Sequence, residues 1–298
     1  MSTKGGEKRP FPTQDWADGP ETGSVGLTSV LGIHSDSKGV VWMLDMGGKS
    51  TPAQLVGWDT NSNTLEKVIK IPRQVLADNS FIQDFVVDEK REKVYIADMS
   101  FGNFEGATKP AIIIVDMNSE QSRRVLEGNA AFIAPDKDIV IEGSLLASKS
   151  PSGETNPLRF GLNPIATDEN FEWVYFATMN GELIYRIPAS QLADEQASDA
   201  TMAEKIAPFG PKKASDGMLY IAGKGIAVTD LANNAVGLSS EGRYQVLIKD
   251  KRLSWPDSMA YHDGYIYVTA DQLHKHPAFS QGRGGAKPPY RLMRFKLD

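Results

Sequence analysis

Four stretches of the chain repeat one plan: LGIHSDSKGVVWMLD, QDFVVDEKREKVYIAD, LNPIATDENFEWVYFAT and PDSMAYHDGYIYVTA. Each places a polar or otherwise distinctive residue ahead of an apolar run, then an acidic turn, then an aromatic-rich run that ends in a small or acidic residue. SDGMLYIAGKGIAVTD is a looser fifth copy. In runs such as VVWMLD, KVYIAD, WVYFAT and YIYVTA the apolar residues alternate with period two and are rich in Val, Ile and aromatics, as half-buried strands require. Turn chemistry such as SKG, DEKREK and HDG separates them. A third strand follows each hairpin (QLVGWD, AIIIVD, ELIYRIP, NAVGLSS, YRLMRFKL), and often a fourth (TLEKVIKI, SRRVLEG, RYQVLIK). Helical patterning is confined to PASQLADEQAS at 188–198. A repeat of about 40–60 residues built from four antiparallel strands predicts an all-β chain folded as a β-propeller of four-stranded blades. A β-sandwich is the alternative architecture. Residues 1–29 read as a partly irregular N-terminal segment and 30–298 as a single propeller domain.

A chain of 298 residues can bury a large core as one such unit. Its net charge of −6, with Lys and Arg scattered, gives no electrostatic reason to expect nucleic acid or an anionic membrane as partner. The absence of cysteine excludes disulfides, thiolate metal sites and a cysteine nucleophile. The start, MSTKGGEKRPFPTQDW, is basic but no apolar stretch follows, so no export signal is read, and no later apolar run is long enough to span a membrane.

Propeller geometry places candidate functional residues. The first strand of every blade lines the central channel, so residues at its start converge on one channel mouth. Those positions are Leu31, Gln83 with Asp84, Asn163, Asp216 and Asp257. The ends of the second strands lie at the same face and add Asp45, Asp98, Thr178, Asp230 and Asp271. Two insertions after second strands, 99–110 and 272–289, should overhang this face and supply Phe101, Phe104 and Phe279 as aromatic walls. A single aspartate at a strand start is explained by capping of a turn. A ring of them on one channel is self-repelling unless a cation, a ligand or water satisfies it. The expectation is a small organic molecule held by Gln83, Asp84, Asn163, Asp216 and Asp257, with Asp98 and Phe101 beside them.

The ordered motifs LGIHSDSKGVVWMLDMG, LVGWDTNSNTLEKVIKIP, SFIQDFVVDEKREKVYIADMS, TDLANNAVG, LSWPDSMAYHDGYIYVTADQLHKHP and KPPYRLMRFKL resemble the yellow/major royal jelly protein family, especially its bacterial members, from about residue 30 to the C-terminus. The resemblance implies a six-bladed propeller and secretion; insect members include pigment-pathway proteins, food proteins and salivary binders of biogenic amines. The chain departs from that pattern in starting almost where the second blade would, which leaves five clear blades and a first blade missing or degraded.

A more distant similarity is to the senescence marker protein/gluconolactonase propellers, which hold a divalent cation through a Glu, two Asn and an Asp. By that resemblance Asn163 and Asp257 match an Asn and the Asp, which there also acts as general base, while Gln83 stands for the other Asn and Leu31 for the Glu. It implies, as the alternative function, a lactonase-like hydrolase with one calcium, magnesium, manganese or zinc ion on Asn163 and Asp257, and Asp257 as catalytic base. A third reading is a noncatalytic secreted interaction protein.

Of the histidines, His34 lies on an inner strand and is the one to test as acid or base. His274 and His276 read as surface loop residues and His262 as part of a turn at the far face. GRGGAKPP at 282–289 lacks the strand-to-helix context of a phosphate loop, and no G-x-S-x-G elbow is present.

Overall fold

The computed structural model describes residues 2–4, 7–20, 25–102 and 108–297. Five antiparallel sheets follow one another along the chain, each running outward from the channel in sequence order. The first blade comprises Val30–Ser35, Val40–Asp45, Ala53–Asp59 and Thr64–Ile71. The second comprises Ile82–Asp88, Lys93–Asp98, Ala111–Asp116 and Ser122–Val125. The third is built from Leu162–Thr167, Trp173–Thr178, Leu183–Pro188 and Ala207–Pro211. Met218–Ile221, Gly225–Asp230, Ala235–Ser240 and Arg243–Lys249 form the fourth. The fifth has three strands, Pro256–His262, Tyr265–Ala270 and Arg291–Lys296.

Local chemistry explains the hairpins. The turn between His262 and Tyr265 has two residues, Asp263 and Gly264, both at positive φ (50° and 77°). That is the primed turn whose twist matches an antiparallel pair, and Asp-Gly is its favoured pair of residues. Period-two alternation then sends neighbouring side chains to opposite blade interfaces. In Lys93–Asp98, Val94 and Ile96 pack with Trp42, Leu44 and Leu55 of the first blade, whereas Tyr95 and Ala97 pack with Leu162 and Phe176 of the third. Every interface is thus a sheet-on-sheet core.

Successive inner strands pack side by side from the first blade to the fifth, but the last does not close onto the first in the same way. Leu31 and Ile33 on the first inner strand are accordingly 52% and 69% exposed. The N-terminal segment builds no blade there among its described residues. Instead, Trp16 sits in a short helix, Gln14–Ala17, capped by Thr13, and packs with Phe11 and Leu27 on Met43, Val56 and Trp58. Among the described residues the architecture is five-bladed.

Helix is limited to short pieces, including Ala189–Ala193 and Asp199–Ala203 where the pattern at 188–198 pointed. The largest departure from expectation is a third insertion. Residues 126–161, between the second and third blades, contain two small hairpins and fold over the channel mouth, where Ile139, Ile141, Leu158 and Phe160 pack with Trp255.

Candidate functional site

Four of the five inner strands carry a β-bulge, one extra residue relative to the partner strand, at the same place. Pairing slips between Val30 and Gly32, Ile82 and Asp84, Leu162 and Ile165, and Pro256 and Met259. The residues lifted out of the ladder are therefore Leu31, Gln83, Asn163 with Pro164, and Asp257 with Ser258. Bulges re-aim side chains, and here they turn the equivalent residue of each blade toward the channel. Glycines make room for the convergence: a Cβ on Gly32 would lie 2.3 Å from the Gln83 carbonyl oxygen, and one on Gly217 would lie 2.1 Å from that of Asp257.

These residues surround a cavity of about 730 Å3, within the range of small-molecule sites. Gln83, Asp84, Asn163, Asp216 and Asp257 all line it, together with Asp271. Its outer wall is aromatic. Phe160 from the 126–161 insertion packs edge-on against Phe101 at 5.7 Å and lies 5.9 Å from Phe279, which in turn lies 6.2 Å from Trp255. No Lys or Arg is among the lining residues.

Asp216 is the most enclosed acid. Its Oδ1 accepts from Asn163 Nδ2 at 2.5 Å and its Oδ2 from Trp255 Nε1 at 2.6 Å. The Thr229 hydroxyl receives the Asp216 and Gly217 N–H groups and fixes the strand start. Burial and the charge of Asp257 push the Asp216 carboxyl well above the usual carboxylate range. Asp271 is pushed up to about 7 by burial, by the charge of Asp257 and by a hydrogen bond between the two carboxyls. Asp84 is raised to about 7 by burial, against hydrogen bonds from the Ile165 and Phe85 N–H groups. Asp84, Asp216 and Asp271 are thus all harder to ionise than an exposed carboxyl. Asn163 leaves its Oδ1, fully buried, without a partner. His34 lines the cavity beside Phe85, and burial lowers its pKa.

Other expected residues lie elsewhere. Asp98 does not line the cavity. It is fully buried and accepts from the Phe81 and Ser100 N–H groups, the Ser80 hydroxyl and, at 2.5 Å, Arg124 Nη1. Asp45 is wrapped in the same way by Thr28, Ser29, Gly47 and Gln54. Strand register explains why Asp271 differs. Asp45, Asp98 and Thr178 stand opposite Val30, Ile82 and Leu162, whereas the residue opposite Pro256 is Ala270. Asp271 is one step further on, which reverses its side chain. Phe104 lies outside the described residues. His274, expected in a surface loop, is 7% exposed, stacked on Trp255 at 6.1 Å and set 3.4 Å from Glu142. Its burial depends on the 126–161 insertion, which no local pattern announced. His276 is exposed at the cavity rim, where Nδ1 accepts from the Ala278 N–H.

The donor set does not fit a resident divalent cation. Leu31 offers hydrocarbon where the resemblance implies a carboxylate, and the Asn163 Oδ1, the atom that would ligate, is fully buried. Among the described residues no group of three His, Asp or Glu side chains converges at ligating distance, whereas hard cations need oxygen ligands in number.

Solved structures of similar fold include a chain from a nidogen/laminin complex, a gluconolactonase from Xanthomonas campestris and a luciferin-regenerating enzyme. The first aligns with a TM-score of 0.51 at 14% identity over 81% of this chain and 72% of that one. The gluconolactonase gives 0.50 at 11% over 81% and 69%. The luciferin-regenerating enzyme gives 0.51 at 12% over 87% and 90%. At these identities the likeness is one of fold. No curated protein matches the sequence significantly. The sequence model of the major royal jelly proteins, in contrast, matches residues 28–280. This five-bladed propeller belongs to the major royal jelly protein family.

Proposed function

We propose that the chain binds a compact organic molecule in the channel mouth, and that the ligand carries a protonated amine or an equivalent strong hydrogen-bond donor on an apolar or aromatic body. The observation that carries this reading is the charge of the cavity: four aspartates, no Lys or Arg, and a wall of Phe101, Phe160, Phe279 and Trp255. A cationic head placed among Asp216, Asp257 and Asp271 relieves their mutual repulsion. The rings accept the body of the ligand by burial and cation–π contact. An anionic ligand would meet the same field with the opposite sign.

The test is a thermal-shift screen at pH 8 of phenethylamine, tyramine and tryptamine against carboxylates of matching size. Stabilisation by amines alone supports the reading; stabilisation by carboxylates alone, or by neither series, rejects it.

A hydrolytic reading rests on one observation, the neighbouring carboxyls of Asp257 and Asp271, which both line the cavity. A carboxyl pair that shares a proton holds base and acid ready together. In that reading Asp257 takes a proton from water and Asp271 donates to the leaving oxygen of a lactone. Lactone turnover that is lost in both Asp257→Asn and Asp271→Asn would favour it over binding alone.

A further inference from the structure

The segment that walls the channel-mouth cavity has a second side. Leu273, His276 and Phe279 face the acidic cavity, while Gln272, Lys275 and Lys287 face a separate cavity of about 540 Å3. Its charge is reversed. Lys251, Arg252, Lys275, Lys287 and Arg291 line it, against one carboxylate, Glu142.

Two of those cations are already matched. Arg252 holds Asp250 through Nε and Nη2, and Lys275 Nζ lies 2.8 Å from Glu142. Lys251, Lys287 and Arg291 have no carboxylate at ion-pair distance among the described residues. Three unmatched cations around one concavity stand out on a chain of net charge −6. They are also presented from fixed backbone. Arg291 pairs with Ala270 in the fifth sheet, and the Gln272 side chain clasps both the N–H and the carbonyl of Lys287. The Asp250 N–H bonds Asn234, and the Leu253 N–H closes the turn that carries Lys251.

We propose that this cavity binds a small oxyanion, a phosphate or carboxylate group, between Lys251, Lys287 and Arg291. The planar fork of Arg291 offers paired donors to two oxygens, the lysines supply point charges, and the concave wall concentrates their field. Glu142 bounds the site on the side of Lys275 and Ser254, where it is held by both. Its lining shares no residue with that of the channel-mouth cavity.

Isothermal titration at low ionic strength with inorganic phosphate, pyrophosphate and citrate tests the proposal. Wild type should bind at least one probe saturably, more weakly as sodium chloride is added. The Lys287→Gln/Arg291→Gln double variant should bind about tenfold more weakly or worse. Glu142→Gln should bind several-fold more tightly, a gain that misfolding could not produce. The preference between pyrophosphate and citrate assigns the class of anion. Failure of all three probes to bind at millimolar concentration, or equal binding by wild type and the double variant, overturns the proposal.

Discussion

Asn163 gives its Nδ2 to Asp216 Oδ1 at 2.5 Å while its own Oδ1 is fully buried and without a partner. A buried acceptor in that state carries an unmet desolvation cost of about 1–3 kcal/mol. The pair ties the start of the third inner strand to that of the fourth, and both residues line the cavity. Asn163→Leu should weaken amine-dependent thermal stabilisation and lower the apo melting temperature, because the orphan goes but the buried Asp216 Oδ1 loses its donor. Undiminished stabilisation would remove Asn163 from the site.

Burial raises the carboxyls of Asp84 and Asp271 to about 7 and that of Asp216 further above its usual range. Between about pH 4, where these groups titrate in the unfolded chain, and about pH 7, the folded state therefore binds more protons. Stability from these groups is complete below that window and is lost as pH rises through it. Asp116, Glu142 and Asp250 are held down to about 2, so their contribution changes only at lower pH. Burial lowers the pKa of His34, His274 and Lys212, whose contributions run the other way. Urea denaturation of the wild type and Asp84→Asn between about pH 5 and pH 8 separates the two: relative to the variant, the wild-type midpoint should fall as pH rises. Parallel curves would contradict the assignment.

Asp98 ends a second strand and Asp257 begins a first strand at the same face of the propeller, yet the two should behave in opposite ways. Asp98→Ala removes the acceptor of two backbone N–H groups, of the Ser80 hydroxyl and of Arg124 Nη1, with Arg124 keeping Glu127, and should destabilise by about 3 kcal/mol, with ligand affinity of the folded protein unchanged. Asp257→Asn should leave the fold intact and weaken amine binding. Chemical denaturation and ligand titration of both variants separate the two roles.

Gly217 is the close-approach residue beside Asp257. An alanine there puts Cβ 2.1 Å from the Asp257 carbonyl oxygen, and backbone has to move to relieve the overlap. Gly217→Ala should cost about 1–3 kcal/mol of stability, and it should weaken ligand binding by displacing Asp257. Calorimetric melting with and without ligand reads both effects; an unperturbed protein would mean that the fourth and fifth inner strands are not fixed relative to each other.

Most strands could be read from local alternation because each blade face repeats the same period. VVWMLD, KVYIAD, WVYFAT and YIYVTA are strands to the residue. The strand Ala207–Pro211 was not legible, since APFGP has proline and glycine where alternation would show. Convergence of Gln83, Asn163 and Asp257 followed from repeat position, but the bulges that aim them are a property of pairing and leave no signature in one strand alone. Asp271 was grouped with Asp45 and Asp98 by spacing, and register set it apart. The 126–161 insertion, with Phe160 and Glu142, was missed because its order comes from contacts far along the chain, and the burial of His274 went with it.

Recognition of a cationic ligand by the carboxylates and rings of the channel mouth is read by calorimetric titration of the amine that stabilises best in the screen, into wild type and Asp257→Asn, at pH 8 and pH 5. Saturable one-to-one binding to wild type is expected at pH 8, with weaker binding at pH 5 as Asp84, Asp216 and Asp271 take up protons, and weaker binding to the variant at pH 8. Binding that is equal at both pH values and unchanged by Asp257→Asn would contradict it.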